Sequence, residues 1–169
     1  SNKPLIKVNC SAIPEALFES QLFGHRKGAF TGAAADHPGY VEQARDGTLF
    51  LDELSTLTLA QQAKLLRFLQ DGSYIPVGGT VERWSHAWII AATNHDLAKQ
   101  VKKGEFREDL YHRLKALQIH LPTLRERPED ILLLAHRFLE KATLKHLAPV
   151  KLLAEETKAV LLGYPWPGN

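Results

Sequence analysis

Two adjacent acids, Asp52 and Glu53, follow directly on the apolar run Leu49-Phe50-Leu51. A buried strand ending in two carboxylates places a hard oxygen ligand next to a base. Asp52 would then sit in the water shell of a magnesium ion and Glu53 would polarise an attacking water, as nucleotide hydrolysis requires. This is the Walker B pattern, although by residue type alone a solvated acidic turn fits as well. Asn94 closes a second apolar run, Trp88-Ile89-Ile90-Ala91-Ala92. An amide there could orient the same water or sense a terminal phosphate; an asparagine after a strand is more often a simple turn residue. Arg107 and Arg113 lie in one helical stretch, about 120° apart around the axis, so they do not share a face. Taken alone, they read as solvated helix arginines.

These groups need a scaffold. Leu5-Ile6-Lys7-Val8, Gly47 to Asp52 and Trp88 to Ala92 read as three buried strands. Leu117-Gln118-Ile119-His120-Leu121 alternates as a fourth, edge strand would. Between them, Ser11, Pro14 and Glu15 signal a helix start leading toward Leu22. Thr58 and Gln61 form a capping box for a helix carrying Leu65, Leu66, Phe68 and Leu69 and closed by Asp71-Gly72. Strands separated by helices predict an α/β fold with a mostly parallel sheet. Its ligands belong beyond the carboxyl ends of the strands, where Asn9, Asp52, Glu53 and Asn94 stand. The segment Gly24–Gly39 holds four glycines and few large apolar residues, so it predicts an excursion rather than core. Gly78-Gly79 marks a further turn, in a hairpin or loop. Beyond Pro122 the pattern is helical only, over Glu129 to His146 and Leu152 to Leu162, with Pro149 as a break.

Composition narrows the class. The 169 residues suit one domain with an appendage, and their 44% hydrophobic and 24% charged content is ordinary for a globular protein. One cysteine, Cys10, excludes an internal disulfide framework. No stretch approaches the roughly 18 apolar residues of a membrane span, so no membrane role and a cytoplasmic location are expected. A net charge of +2 gives no argument for nucleic-acid binding. Eight histidines show no metal-ligand spacing.

Glu19-Ser20-Gln21-Leu22-Phe23-Gly24-His25-Arg26-Lys27-Gly28-Ala29-Phe30-Thr31-Gly32-Ala33 resembles the signature of sigma-54-dependent transcriptional activators, with the GAFTGA loop intact from Gly28 to Ala33. Terminal glycines would let such a loop fold down or stand up and offer an aromatic tip to a partner. The resemblance covers essentially the whole chain. It implies an AAA+ P-loop-type core over 1–123, lacking the Walker A portion, and a partial helical lid over 124–169. It implies ATP and Mg2+ as ligands, with Gly47, Thr48, Asp52 and Glu53 in the nucleotide segment, Asn94 as sensor, and Asn9 as a switch that restrains Glu53. Arg107 and Arg113 match the arginine fingers that a neighbouring subunit supplies, which implies a ring, hexameric in the intact parent. Gly28, Ala29, Phe30, Thr31, Gly32 and Ala33 would contact the sigma-54 RNA polymerase holoenzyme. Promoter or enhancer DNA would be bound by a carboxyl-terminal domain outside these residues.

The chain departs from the family at Pro76, where arginine usually precedes Val-Gly-Gly, and at His86-Ala87-Trp88, where Asp-Val-Arg is usual. These changes bear on partner contacts of that loop, not on the fold. No G-x-x-x-x-G-K-[ST] phosphate loop occurs. Both ends look like cuts through a longer protein, Ser1-Asn2 equally like a cloning scar, and Trp166-Pro167-Gly168-Asn169 like the opening of a sensor II motif. The piece alone is therefore expected to bind ATP weakly or not at all. Two other functions fit less well: a regulator that binds nucleotide or partners without turnover, and a different AAA+ remodeller.

Overall fold

A computed structural model describes residues 3–146 and 152–169. The chain forms two compact units, Ser1–Gln118 and Ile119–Asn169.

The first unit is built on a three-stranded parallel sheet of β1 (Leu5–Asn9), β4 (Thr48–Asp52) and β7 (Trp88–Ala91), with β4 in the middle. Three short helices precede or cover it: α1 (Phe18–Phe23), α2 (Tyr40–Ala44) and α3 (Leu59–Asp71), the last a 13-residue helix. Two small antiparallel pairs stand apart from the main sheet. They are β2 (Gly24–His25) with β3 (His37–Pro38), and β5 (Ser73–Tyr74) with β6 (Arg83–Trp84). Helices α4 (Leu97–Lys103) and α5 (Glu108–Leu114) complete the unit.

Strand alternation decides where the core lies. Ile6, Leu49 and Ile89 are neighbours across the ladder, as are Val8 and Leu51. This face packs with Phe18, Leu22, Val41, Leu65, Phe106 and Leu110 into one apolar cluster. The opposite face carries Leu5, Trp88 and Ile90, all exposed.

Helix α3 forms where its capping box predicts. Thr58 Oγ1 accepts from Gln61 N–H, Gln61 Oε1 accepts from Thr58 N–H at 2.8 Å, and Gly72 ends the helix in the left-handed conformation. The helix start read at Ser11 is displaced. Asn9, not Ser11, caps a 3-10 turn at Cys10–Ala12, a second turn follows at Glu15–Leu17, and the α-helix begins only at Phe18.

The fourth strand, Leu117 to Leu121, does not form. A strand exists only through its ladder, and no described strand lies beside this segment. Its alternating apolar side chains, Leu117, Ile119 and Leu121, remain exposed. The division between the units falls inside it.

In the second unit, Thr123 and Glu126 make a capping box at a 3-10 turn, followed by α6 (Pro128–His146) and α7 (Glu155–Gly163). Trp166 Nε1 donates to Leu161 O at 2.9 Å, folding the last residues back on α7. The Pro149 break and the Ser1-Asn2 reading lie outside the described residues.

One buried polar side chain joins α3 to the segment before α5. Gln62 is fully buried, donates from Nε2 to Leu57 O at 2.8 Å and Glu105 O at 3.0 Å, and accepts Arg107 N–H at 2.8 Å. Gln62→Leu would leave the buried Leu57 carbonyl and two partly buried backbone groups without this partner, a buried unpaired group costing about 1–3 kcal/mol. Denaturant unfolding of this variant is expected to show a loss of about 2–4 kcal/mol; a loss under about 0.5 kcal/mol, the range of a neutral surface change, would mean the three bonds are dispensable.

Candidate nucleotide-hydrolysing site

The parallel register aligns the strand ends. Asn9 is the ladder partner of Asp52, and Leu51 pairs with Ala91. Asn9 and Asp52 therefore stand on neighbouring strands, about 4.8 Å apart. The turns that follow are tied together. Ala92 N–H donates to Leu51 O at 2.8 Å, Leu54 N–H donates to Ala92 O at 3.1 Å, and Ser55 Oγ lies 3.0 Å from His95 Nδ1. Asn94, exposed, sits in the turn held by these bonds.

Asp52 is exposed, and its Oδ1 accepts Glu53 N–H at 2.9 Å. Glu53 has φ 57° and ψ 38°, a left-handed conformation uncommon outside glycine. Its carbonyl accepts from Thr56 N–H at 3.0 Å and Thr56 Oγ1 at 2.7 Å, which holds the tight turn. Among the described residues no hydrogen bond engages the Glu53 carboxylate. Asn9 does not reach it: Asn9 Oδ1 accepts from Ser11 N–H at 2.9 Å and Ser11 Oγ at 2.7 Å. The switch contact expected between Asn9 and Glu53 is not made in this conformation.

Magnesium tends to keep several waters and to take one or two carboxylates plus phosphate oxygens. The site fits that habit. Asp52 presents an exposed carboxylate with Oδ1 engaged by the Glu53 backbone, and among the described residues no protein donor engages its other oxygen.

Gly47 and Thr48 do not join this group. They lie at the amino end of β4, about 13 Å of strand away from Asp52. Their backbone serves the sheet instead, Thr48 N–H donating to Pro4 O at 2.8 Å and Gly47 O accepting Trp88 N–H at 2.9 Å. A Cβ at Gly47 would fall 2.0 Å from Pro4 O, so glycine is required there for close backbone approach.

Arg107 caps α5 and Arg113 lies in its last turn. The Arg107 guanidinium is bidentate with Asp109, Nε to Oδ1 at 3.0 Å and Nη2 to Oδ2 at 2.7 Å. This bond holds the Asp109 carboxyl below its ordinary value and raises Arg107. Arg113 donates from Nε and Nη2 to Leu69 O, at 3.1 and 2.9 Å, near the carboxyl end of α3, where a cation is favourable.

The glycine-rich excursion is anchored at its base by β2 and β3. Lys27 N–H donates to Asp36 Oδ1 at 2.8 Å, and Asp36 also pairs with Arg26. Gly28 N–H donates to Ala33 O at 2.8 Å and closes the loop, with Gly28 and Gly32 at positive φ. Ala33 is buried, whereas Phe30 is 39% exposed. The tip aromatic is therefore not a core residue. Three supports escaped the sequence reading: Gln62, the Ser55–His95 staple, and the Ser20–His25 pair beneath the loop.

Cys10 is adjacent to Asn9 but is not a nucleophile. Burial, with the Asp52 carboxylate adding to it, pushes its thiol up to about 11. Iodoacetamide at pH 8 is expected to leave Cys10 unmodified in the folded chain and to label it after unfolding; fast labelling of folded protein would contradict its burial.

Residues 1–120 match the family described as the Sigma-54 interaction domain, and residues 125–169 match the AAA+ ATPase lid domain. The chain is 49% identical over 169 residues to the alginate biosynthesis transcriptional regulatory protein AlgB of Pseudomonas syringae, covering 100% of this chain and 38% of that protein. It is 51% identical over 166 residues to the DNA-binding transcriptional regulator NtrC of Escherichia coli, covering 98% of this chain and 35% of NtrC. The crystal structure of NtrX from Brucella abortus in complex with ATP superimposes with a TM-score of 0.91 at 33% identity, over 99% of this chain and 38% of NtrX. The chain thus spans little more than a third of these relatives. With its parallel α/β sheet, its helical second unit and both family matches, it belongs to the sigma-54-dependent transcriptional activators, within their AAA+ module.

Proposed function

We propose that this chain carries the hydrolytic, sensing and polymerase-contacting parts of an ATP-driven motor that remodels the sigma-54 RNA polymerase at the promoter. The observation that carries the reading is the ladder pairing of Asn9 with Asp52, beside the stapled turn that holds Asn94. It supports reading Asp52, Glu53, Asn9 and Asn94 as one group at that edge of the sheet.

In this reading ATP is the substrate. Asp52 would hold Mg2+ through water, and the ion would neutralise phosphate charge when bound. Glu53 accepts a proton from the attacking water, and Asn94 orients that water against the terminal phosphate. Asn9 restrains Glu53 in a state in which its amide leaves Ser11. Arg107 and Arg113 act in trans on a neighbour's nucleotide, so the working form is a ring. Gly28, Ala29, Phe30, Thr31, Gly32 and Ala33 present the contact to sigma-54 polymerase, and ATP turnover drives it. The AAA+ and sigma-54 family matches support this assignment of parts.

The test belongs in the intact protein. Glu53→Ala is expected to lower ATP turnover about a hundred- to ten-thousand-fold, and Arg107→Ala about a thousand-fold or more, with circular dichroism unchanged. Normal turnover in both variants would refute the site assignment.

A further inference from the structure

Phe30 stands on a loop whose two glycines have positive φ and no atom within 4 Å of where a Cβ would lie. Left to itself, such a tip would sample many conformations, and ordering it would weigh against each binding event. The Phe30 ring instead meets the His25 ring edge to face, with centroids 5.0 Å apart and planes at 62°.

His25 is held from several sides. Its Nδ1 shares a 2.8 Å hydrogen bond with Oγ of Ser20, which is 6% exposed. Its ring stacks on His37 across the β2–β3 pair, with centroids 5.5 Å apart. Its backbone is bracketed by Arg26 N–H donating to Val77 O at 3.0 Å and Val77 N–H donating to Gly24 O at 2.9 Å. The segment that carries Val77 also packs against the loop, since a Cβ on Gly78 would fall 2.7 Å from Ala29 Cβ.

We propose that His25 is a positioning residue for Phe30: its ring, fixed by Ser20 and His37, is a rigid seat that keeps Phe30 presented to the polymerase. This rests on the reading of Gly28 to Ala33 as the polymerase contact. The seat raises the fraction of binding-ready loop, and apparent affinity scales with that fraction. An edge-to-face aromatic contact is worth about a two- to tenfold shift in such a population.

The seat and its use are tested separately in the intact protein. With 4-fluorophenylalanine placed at position 30, the fluorine resonance is expected to move toward the solvent-exposed value in His25→Ala and in Ser20→Ala. His25→Phe, which keeps an aromatic plate, is expected to restore part of the shift. An unmoved resonance in His25→Ala would overturn the seat.

Binding to sigma-54 holoenzyme then measures the use. His25→Ala is expected to weaken it about two- to tenfold when Phe30 is present, with no further loss in a Phe30→Ala background. Equal losses in both backgrounds would overturn the coupling. Unimpaired binding by Phe30→Ala itself would overturn the reading of the loop and the functional half of the proposal, while the fluorine shift still decides the seat.

Discussion

The in-register parallel ladder of β1, β4 and β7 is the constraint on which the candidate site depends. Parallel pairing makes all three strands end at one edge, and Asn9 opposite Asp52 fixes that edge to the residue. A one-residue slip would turn Leu49 and Leu51 away from the helices and carry Asp52 out of line with Asn9. Burial of Leu49 and Leu51 therefore protects the register, and the register sets Asn9 beside Asp52. Glycine at position 47 belongs to the same constraint. It lets the chain pass Pro4 closely enough for β4 to enter the ladder where it does.

The second constraint is Gln62, which ties the chain before α5 to α3. Both arginines then lean on nearby groups, in ways that differ in strength. The Arg107–Asp109 pair is solvent-exposed, and such pairs are worth about 0–1 kcal/mol. Exchanging Asp109 for a phosphate would meet little resistance. Arg113 is bonded twice to a main-chain carbonyl of α3, a tie that involves no carboxylate.

Much of the fold was legible because it rests on local chemistry. The Thr58–Gln61 box, the Gly72 stop and the acids after Leu51 are short-range signals, and each stands where its chemistry puts it. The excursion from Gly24 was legible from its glycines, and the GAFTGA match identified its family. What failed depended on partners far away in sequence. Leu117 to Leu121 has strand alternation but no described neighbour to pair with. The Asn9–Ser11 bonds, made within two residues of chain, were equally illegible from residue type alone. Gly47 and Thr48 precede the acids in one strand, and that strand's length carries them to the wrong end of the sheet. Gln62 gave only a faint signal, a glutamine on the apolar side of α3, and its three partners come from two other segments.

In the function proposed above, hydrolysis needs Glu53 of one subunit and Arg107 of the next. Subunit mixing tests it most directly. Intact protein carrying Glu53→Gln is titrated with protein carrying Arg107→Ala, each inactive alone, and ATP turnover is measured against the mixing ratio. Recovered turnover with a maximum at intermediate ratios is expected, because mixed rings contain interfaces with both groups intact. No recovery at any ratio, in rings shown to have mixed, would contradict it.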